Sequence, residues 1–170
     1  VQGWHGDSAR TFGVGQVSDG TAQLSEATRV AMWDGIAAAR VAKHIGDIGH
    51  AITQSAKNSN RDFSIVKDFT GHGIGREMHE DPDVPNFGKP GRGIRIPDGL
   101  CIAIEPIISV GSPKLIEMAD GWTVKTANGA NAAHWEHTIA ITKRGVWVLT
   151  AQDGGEEELA KRGVPFAPLD

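Results

Sequence analysis

A single cysteine, Cys101, stands in 170 residues, so neither an internal disulfide nor a CxxC zinc motif can form. That scarcity suits a reducing compartment, and a cytoplasmic location is expected. Cys101 lies in Leu100-Cys101-Ile102-Ala103-Ile104, where the expected role is a small buried hydrophobe rather than a nucleophile. No run approaches the roughly 18 apolar residues that a membrane span needs, so no membrane partner is expected. Positive charge is not in excess either. A net charge of −4 argues against direct nucleic-acid binding through bulk basicity. The chain also lacks an HExxH helical zinc motif and a GxGxxG dinucleotide loop. It starts at Val1 rather than Met, so no targeting segment is read from its start.

What remains is ordinary globular material. Hydrophobic residues make up 39% and charged residues 22%, and the length suits one domain burying about two thirds of its unfolded surface. Val1 to Val17 reads as β-structure around a His5-Gly6-Asp7 turn. Apolar residues at Leu24, Ala27, Ala31, Ala38, Val41 and Ala42 predict a helix from Thr21 to His44, capped by Thr21 or Ser25. Ile45-Gly46-Asp47 breaks it, and Asp47 starts a second helix carrying Ile48, Ala51 and Ile52. Strands are expected at Ser64–Phe69, Leu100–Val110 (interrupted by Glu105-Pro106), Trp122–Thr126, Ala133–Thr142 and Val146–Ala151. Residues 81–99 hold four prolines and four glycines and read as a loop. The domain is expected to end at residue 153, and 154–170 to be a surface tail. Strands mixed with two helices, without strict βαβ alternation, predict an α+β fold with helices on one face of the sheet.

The densest chemistry lies in Gly71-His72-Gly73-Ile74-Gly75-Arg76-Glu77-Met78-His79-Glu80, too broken for a helix and too small for core packing. Its glycines allow a sharp turn or a close backbone approach, and imidazole is the commonest metal ligand. Glu105 interrupts an apolar strand, on the face of Ala103 and Ile107. It pairs with an arginine such as Arg92 or Arg95, or it binds a metal, and the residues alone leave both open. Glu136 shares a face with His134, Thr138 and Ala140 and is expected to look into a cavity. His137 points the other way and reads as a hydrogen-bonded core histidine. Asp7, in a His-Gly-Asp turn, would by itself be only a capping aspartate. A metal site needs three or four ligands converging from different strands, and Asp7, His72, Glu105 and Glu136 can supply them. That oxygen-rich set with one imidazole favours Mn²⁺, Fe²⁺ or Co²⁺, with Zn²⁺ also in range.

Three segments resemble the type I methionine aminopeptidases, metallopeptidases of the pita-bread fold shared with prolidase and creatinase. They are Gly71 through His79-Glu80 and Pro82; Ile104-Glu105-Pro106; and Asp120-Gly121-Trp122-Thr123-Val124-Lys125-Thr126 followed by Glu136-His137-Thr138. The resemblance implies a curved antiparallel sheet with helices on its outer face. It also implies two divalent metal ions bridged by Asp7 and Glu136, the first completed by His72 and Glu105. His79 would bond the substrate amide and stabilise the tetrahedral intermediate, while Met78 and Trp122 would line the methionine pocket. Family members carry a further metal-binding aspartate and a substrate-contacting histidine that would lie before Val1. This chain is therefore expected to be the C-terminal part of the enzyme, with an incomplete second metal site and activity that depends on the ligands before Val1.

The implied reaction is removal of the N-terminal methionine from nascent proteins, with Glu105 moving the proton. Expected partners are methionine-initiated peptides at the ribosome, met by a monomer. Two rivals are an X-Pro dipeptidase of the same fold and a peptide-binding pita-bread module without catalysis.

Overall fold

Three helices and three β-sheets make up the computed structural model, which describes residues 1–168. Helix α1 spans Asp19–Ala39 and is capped by Ser18, whose side chain accepts the Thr21 N–H at 3.3 Å. It starts earlier than Thr21 and stops short of His44. Helix α2 spans Ile45–Asn58 and so begins at the expected break, two residues before Asp47. The reason is Asp47, whose Oδ2 reaches back to accept the backbone N–H groups of Lys43 and His44, each at 2.9 Å. A carboxylate inside the first turn caps a helix as well as one in front of it.

The first sheet contains β1 (Ser8–Ala9), β3 (Gly71–Gly73), β4 (Glu80–Val84), β5 (Leu100–Ile104), β10 (Glu136–Ile141) and β11 (Val146–Val148). Its order is β1-β10-β5-β3-β4, with β11 also beside β10. The second contains β2 (Phe63–Ile65), β6 (Ile107–Val110) and β9 (Ala132–His134), in the order β2-β6-β9. A separate hairpin joins β7 (Leu115–Glu117) to β8 (Val124–Thr126). Every strand pairing is antiparallel.

Two neighbouring strands change sheets at the same level. β5 passes into β6 through Glu105-Pro106, and β9 passes into β10 at Trp135. Ile104 faces His137 on one side of this junction and Ile107 faces His134 on the other. Behind it the core gathers Leu24, Met32 and Ile36 of α1, Ile48 and Ile52 of α2, and Ile102, Ile104, Ile108 and Ile139 of the strands, all buried. Each such side chain contributes about 1.5–3 kcal/mol through removal from water.

Several expectations are corrected. Within Val1–Val17 only Ser8 and Ala9 form a strand; Phe12 and Val14 are exposed, and no other strand lies beside them among the described residues. Ala133–Thr142 is two strands, not one. In 81–99, Glu80–Val84 is an edge strand on β3 in spite of Pro82. An edge position needs one ladder donor fewer, which is where proline is tolerated.

The segment after Gly154 is not a surface tail. It forms helix α3 (Glu156–Lys161), buries Leu159 completely and returns beside β11, where Val146 donates to Pro165 and Ala167 donates to Val146. Arg162 bonds Asp34 of α1 at 2.8 Å. Two adjacent apolar residues, Leu159 and Ala160, in a six-residue acidic helix leave no periodicity to read.

Candidate metal centre

The sheet junction positions both glutamates. Pro106 has no N–H, so the β5 ladder ends at Glu105, whose carbonyl accepts from the buried Asn86 amide at 3.2 Å. Glu136 is the first residue of β10 and faces Ala9 of β1. Asp7 is stapled beside it: its N–H donates to Thr138 Oγ1 at 2.9 Å, and the same hydroxyl donates to its carbonyl at 2.8 Å. The preceding turn is tied to the glycine-histidine run by His5 N–H to Gly75 O, 2.9 Å. His72 is the middle residue of β3, between two glycines that have no room for a side chain. A Cβ on Gly71 would lie 2.3 Å from Ala103 O, and one on Gly73 2.1 Å from Asp81 O. Glycine here serves close strand packing, which fixes the direction of the imidazole.

These elements bring one ligand atom each from Asp7, His72 and Glu136 within 4.8 Å of one another. Glu105 flanks the group: its Oε1 is 3.4 Å from His72 Nε2, which is 3.9 Å from Asp7 Oδ2. His72 and Glu136 are buried, Glu105 largely so, and Asp7 half so. His72 Nδ1 lies 2.9 Å from the carbonyl of Gly73. A carbonyl only accepts, so Nδ1 carries the proton and Nε2 turns its lone pair toward the carboxylates.

No lysine or arginine pairs with any of the three carboxylates among the described residues, Arg92 and Arg95 included. Burial, then the charge of Asp7, pushes the Glu105 carboxyl up to about 7. Burial, then Glu105 and Asp7, pushes Glu136 up to about 8. Crowded carboxylates that retain protons, facing an imidazole lone pair, lack a positive partner. A divalent cation supplies one, and the donor set fits it. The structure thus brings together all four residues expected as ligands, with Glu105 at the margin.

The other expected residues are placed differently. His79 is exposed, its ring edge-on to His72 at 4.4 Å between centroids. Met78 is 38% exposed, and Trp122, at the tip of the β7–β8 hairpin, is 88% exposed. These two do not form an enclosed pocket. His137 is the core histidine expected: Nδ1 meets Thr150 Oγ1 at 2.8 Å, the ring packs on Trp33, and burial holds its pKa down to about 4. Cys101 is a half-buried thiol whose pKa is raised by burial and by Glu80, as suits an inert residue. Sequence reasoning gave no role to His134, whose Nε2 lies 3.7 Å from Glu105 Oε2. Its alternation with Glu136 was visible, but not the crossing of strands that brings it to Glu105.

The chain is similar to known peptidases. The chain is 49% identical over 154 residues to methionine aminopeptidase 1 of Mycobacterium tuberculosis, covering 88% of this chain and 58% of that protein. It is 42% identical over 150 residues to methionine aminopeptidase 1 of Bacillus subtilis, covering 88% and 60%. The chain thus spans about three fifths of the length of these curated relatives. Among solved structures, methionine aminopeptidase from Thermotoga maritima superimposes with a TM-score of 0.84 at 38% identity, covering 89% of this chain and 60% of that one. Prolidase from Pyrococcus furiosus shares the fold at a TM-score of 0.63 and 20% identity, covering 88% and 38%. The architecture is the pita-bread fold, with its helices on one side of antiparallel sheets. The profile of metallopeptidase family M24 matches residues 1–143, and to that family of metal-dependent peptidases this chain belongs.

Proposed function

We propose that this chain carries the catalytic face of a methionyl aminopeptidase, which hydrolyses the first peptide bond of proteins beginning with methionine. The observation that carries the reading is the junction cluster: Asp7, His72 and Glu136 converge, Glu105 adjoins them, and among the described residues no lysine or arginine pairs with them. Similarity to methionine aminopeptidases over 88% of the chain supports the choice of substrate. When bound there, a divalent cation (Mn²⁺, Fe²⁺ or Co²⁺, with Zn²⁺ less favoured by the oxygen-rich set) acidifies a water and polarises the scissile carbonyl.

The remaining work falls to side chains. Asp7, His72, Glu105 and Glu136 would hold the ion, with Asp7 and Glu136 shared with a second one. Glu105 takes the proton of the attacking water and returns it to the leaving amine. His79, exposed beside His72, hydrogen-bonds the substrate amide and stabilises charge growing on the carbonyl oxygen. In other enzymes, loss of such a donor costs on the order of 3 kcal/mol. Trp122 and Met78 contact the methionine side chain. The substrates are nascent chains in the cytoplasm, met near the ribosome by a monomer.

The test is hydrolysis of Met-Ala-Ser by the intact enzyme, beside an X-Pro dipeptide. Met-Ala-Ser is expected to be cleaved in preference, and Glu105→Ala to abolish turnover. Preference for X-Pro would transfer the chain to the dipeptidases; binding without cleavage by a metal-loaded wild type would make it a peptide-binding module.

A further inference from the structure

His134 ends β9, one residue before the chain crosses from the second sheet to the first. Its backbone is held on two sides. The N–H donates to Thr11 Oγ1 at 2.9 Å, Thr11 Oγ1 donates to the His134 carbonyl at 2.7 Å, and Ile107 faces it across the ladder. The side chain is 35% exposed, yet Nε2 is buried and makes no hydrogen bond. A ring with one wet edge and a dry, unpartnered nitrogen is unfavourable unless that nitrogen has an acceptor to find. The carboxyl oxygen beside it is Glu105 Oε2, at 3.7 Å, while Oε1 of the same group faces His72 Nε2 at 3.4 Å. Glu105 stands between two imidazoles, one on each oxygen.

We infer that His134 is a positioning residue for Glu105: its Nε2–H donates to Oε2 and holds the carboxylate with Oε1 turned toward Asp7, His72 and Glu136. The inference rests on the metal-centre reading above. A separation of 3.7 Å is longer than a hydrogen bond, and the soft terminal torsion of a glutamate closes it at small cost. With the carboxylate so held, the oxygen that serves the centre and the oxygen that is anchored are no longer interchangeable. Partners of this kind fix the orientation of a ligand, and their removal costs about 10–100-fold in metal affinity. His134 is well suited to the part, because Thr11 and the β6–β9 pairing fix where its ring starts.

Mn²⁺ titration calorimetry on the purified chain tests this, with wild type, His72→Ala, His134→Ala and His134→Gln. His134→Ala is expected to bind Mn²⁺ at least about tenfold more weakly. His134→Gln, whose amide N–H reaches the same oxygen, is expected to recover most of the loss. Pulsed EPR of the Mn²⁺ complex should show one coupled imidazole nitrogen, that of His72, in wild type and in His134→Ala alike. Wild-type affinity in His134→Ala overturns the inference, as does a glutamine variant no better than alanine. A second coupled nitrogen that disappears in His134→Ala overturns it too, by making His134 a direct ligand. A wild type that binds no Mn²⁺ sinks the metal-centre reading and this inference together. Binding lost in His72→Ala and unchanged in His134→Ala sinks the inference alone.

Discussion

At the scale of single residues, protons and the cation compete for the same oxygens. Glu105 at about 7 and Glu136 at about 8 both stand above the ordinary carboxylate value of 4.5. The metal-free folded chain therefore keeps protons that the unfolded chain releases. That contribution to stability is fully present below pH 4.5 and is lost as pH rises through about 7 and 8. A divalent cation must displace those protons, so Mn²⁺ affinity should rise by at least about tenfold between pH 6 and 7. Calorimetry at constant ionic strength measures this; a flat affinity would mean that these carboxylates are not the ligands. His137, one residue from Glu136, behaves in the opposite way. Held neutral with its pKa near 4, it contributes stability above the usual histidine value of 6.5, and that stability is lost as pH falls toward 4. The neighbouring imidazole is thus set to remain uncharged while Glu136 gives up its proton. The division of labour between positions 136 and 137 was legible from strand alternation alone, because adjacent side chains on a strand point to opposite faces.

At the scale of elements, the centre depends on how closely three strands pack. β3 is three residues long, and its outer two are glycines with backbone oxygens where a Cβ would sit. Gly73→Ala places a methyl group 2.1 Å from Asp81 O, so β4 must move away. We expect a loss on the order of 2 kcal/mol in urea unfolding, with weakened metal binding because His72 moves with its strand. An alanine variant that matched wild type in both measurements would show that this packing does not orient the ligand. The glycines at 71 and 73 could be read as permitting close approach; what they approach could not. Element ends were the least legible feature. α2 starts at Ile45 because Asp47 caps it from within, and β4 forms in spite of Pro82 because it lies at an edge.

At the scale of the whole molecule, the proposed ligands Asp7, His72, Glu105 and Glu136 come from segments far apart along the chain, so metal binding would be coupled to folding. Mn²⁺ at about a hundredfold over its Kd should add about 2.7 kcal/mol, or roughly 5–10 °C in Tm, reversed by EDTA. The absence of any chelator-sensitive shift would count against a site preformed in the fold. The C-terminal segment belongs to the same cooperative unit. Leu159→Ala should cost about 2–5 kcal/mol in urea unfolding, since a fully buried side chain leaves a cavity. A loss below about 0.5 kcal/mol would return residues after Gly154 to the status of a surface tail.

What the sequence determined by itself was the chemistry: which side chains can hold a cation, which histidine belongs to the core, and which family the three motifs resemble. Residue types and short-range alternation carry that information locally. What only the tertiary structure decided was adjacency: Asp7 beside Thr138, α3 folded onto α1 and β11, and His134 against Glu105. These contacts arise because two strands change sheets side by side at Glu105-Pro106 and Trp135, and long-range pairing of that kind leaves no period in the sequence to read.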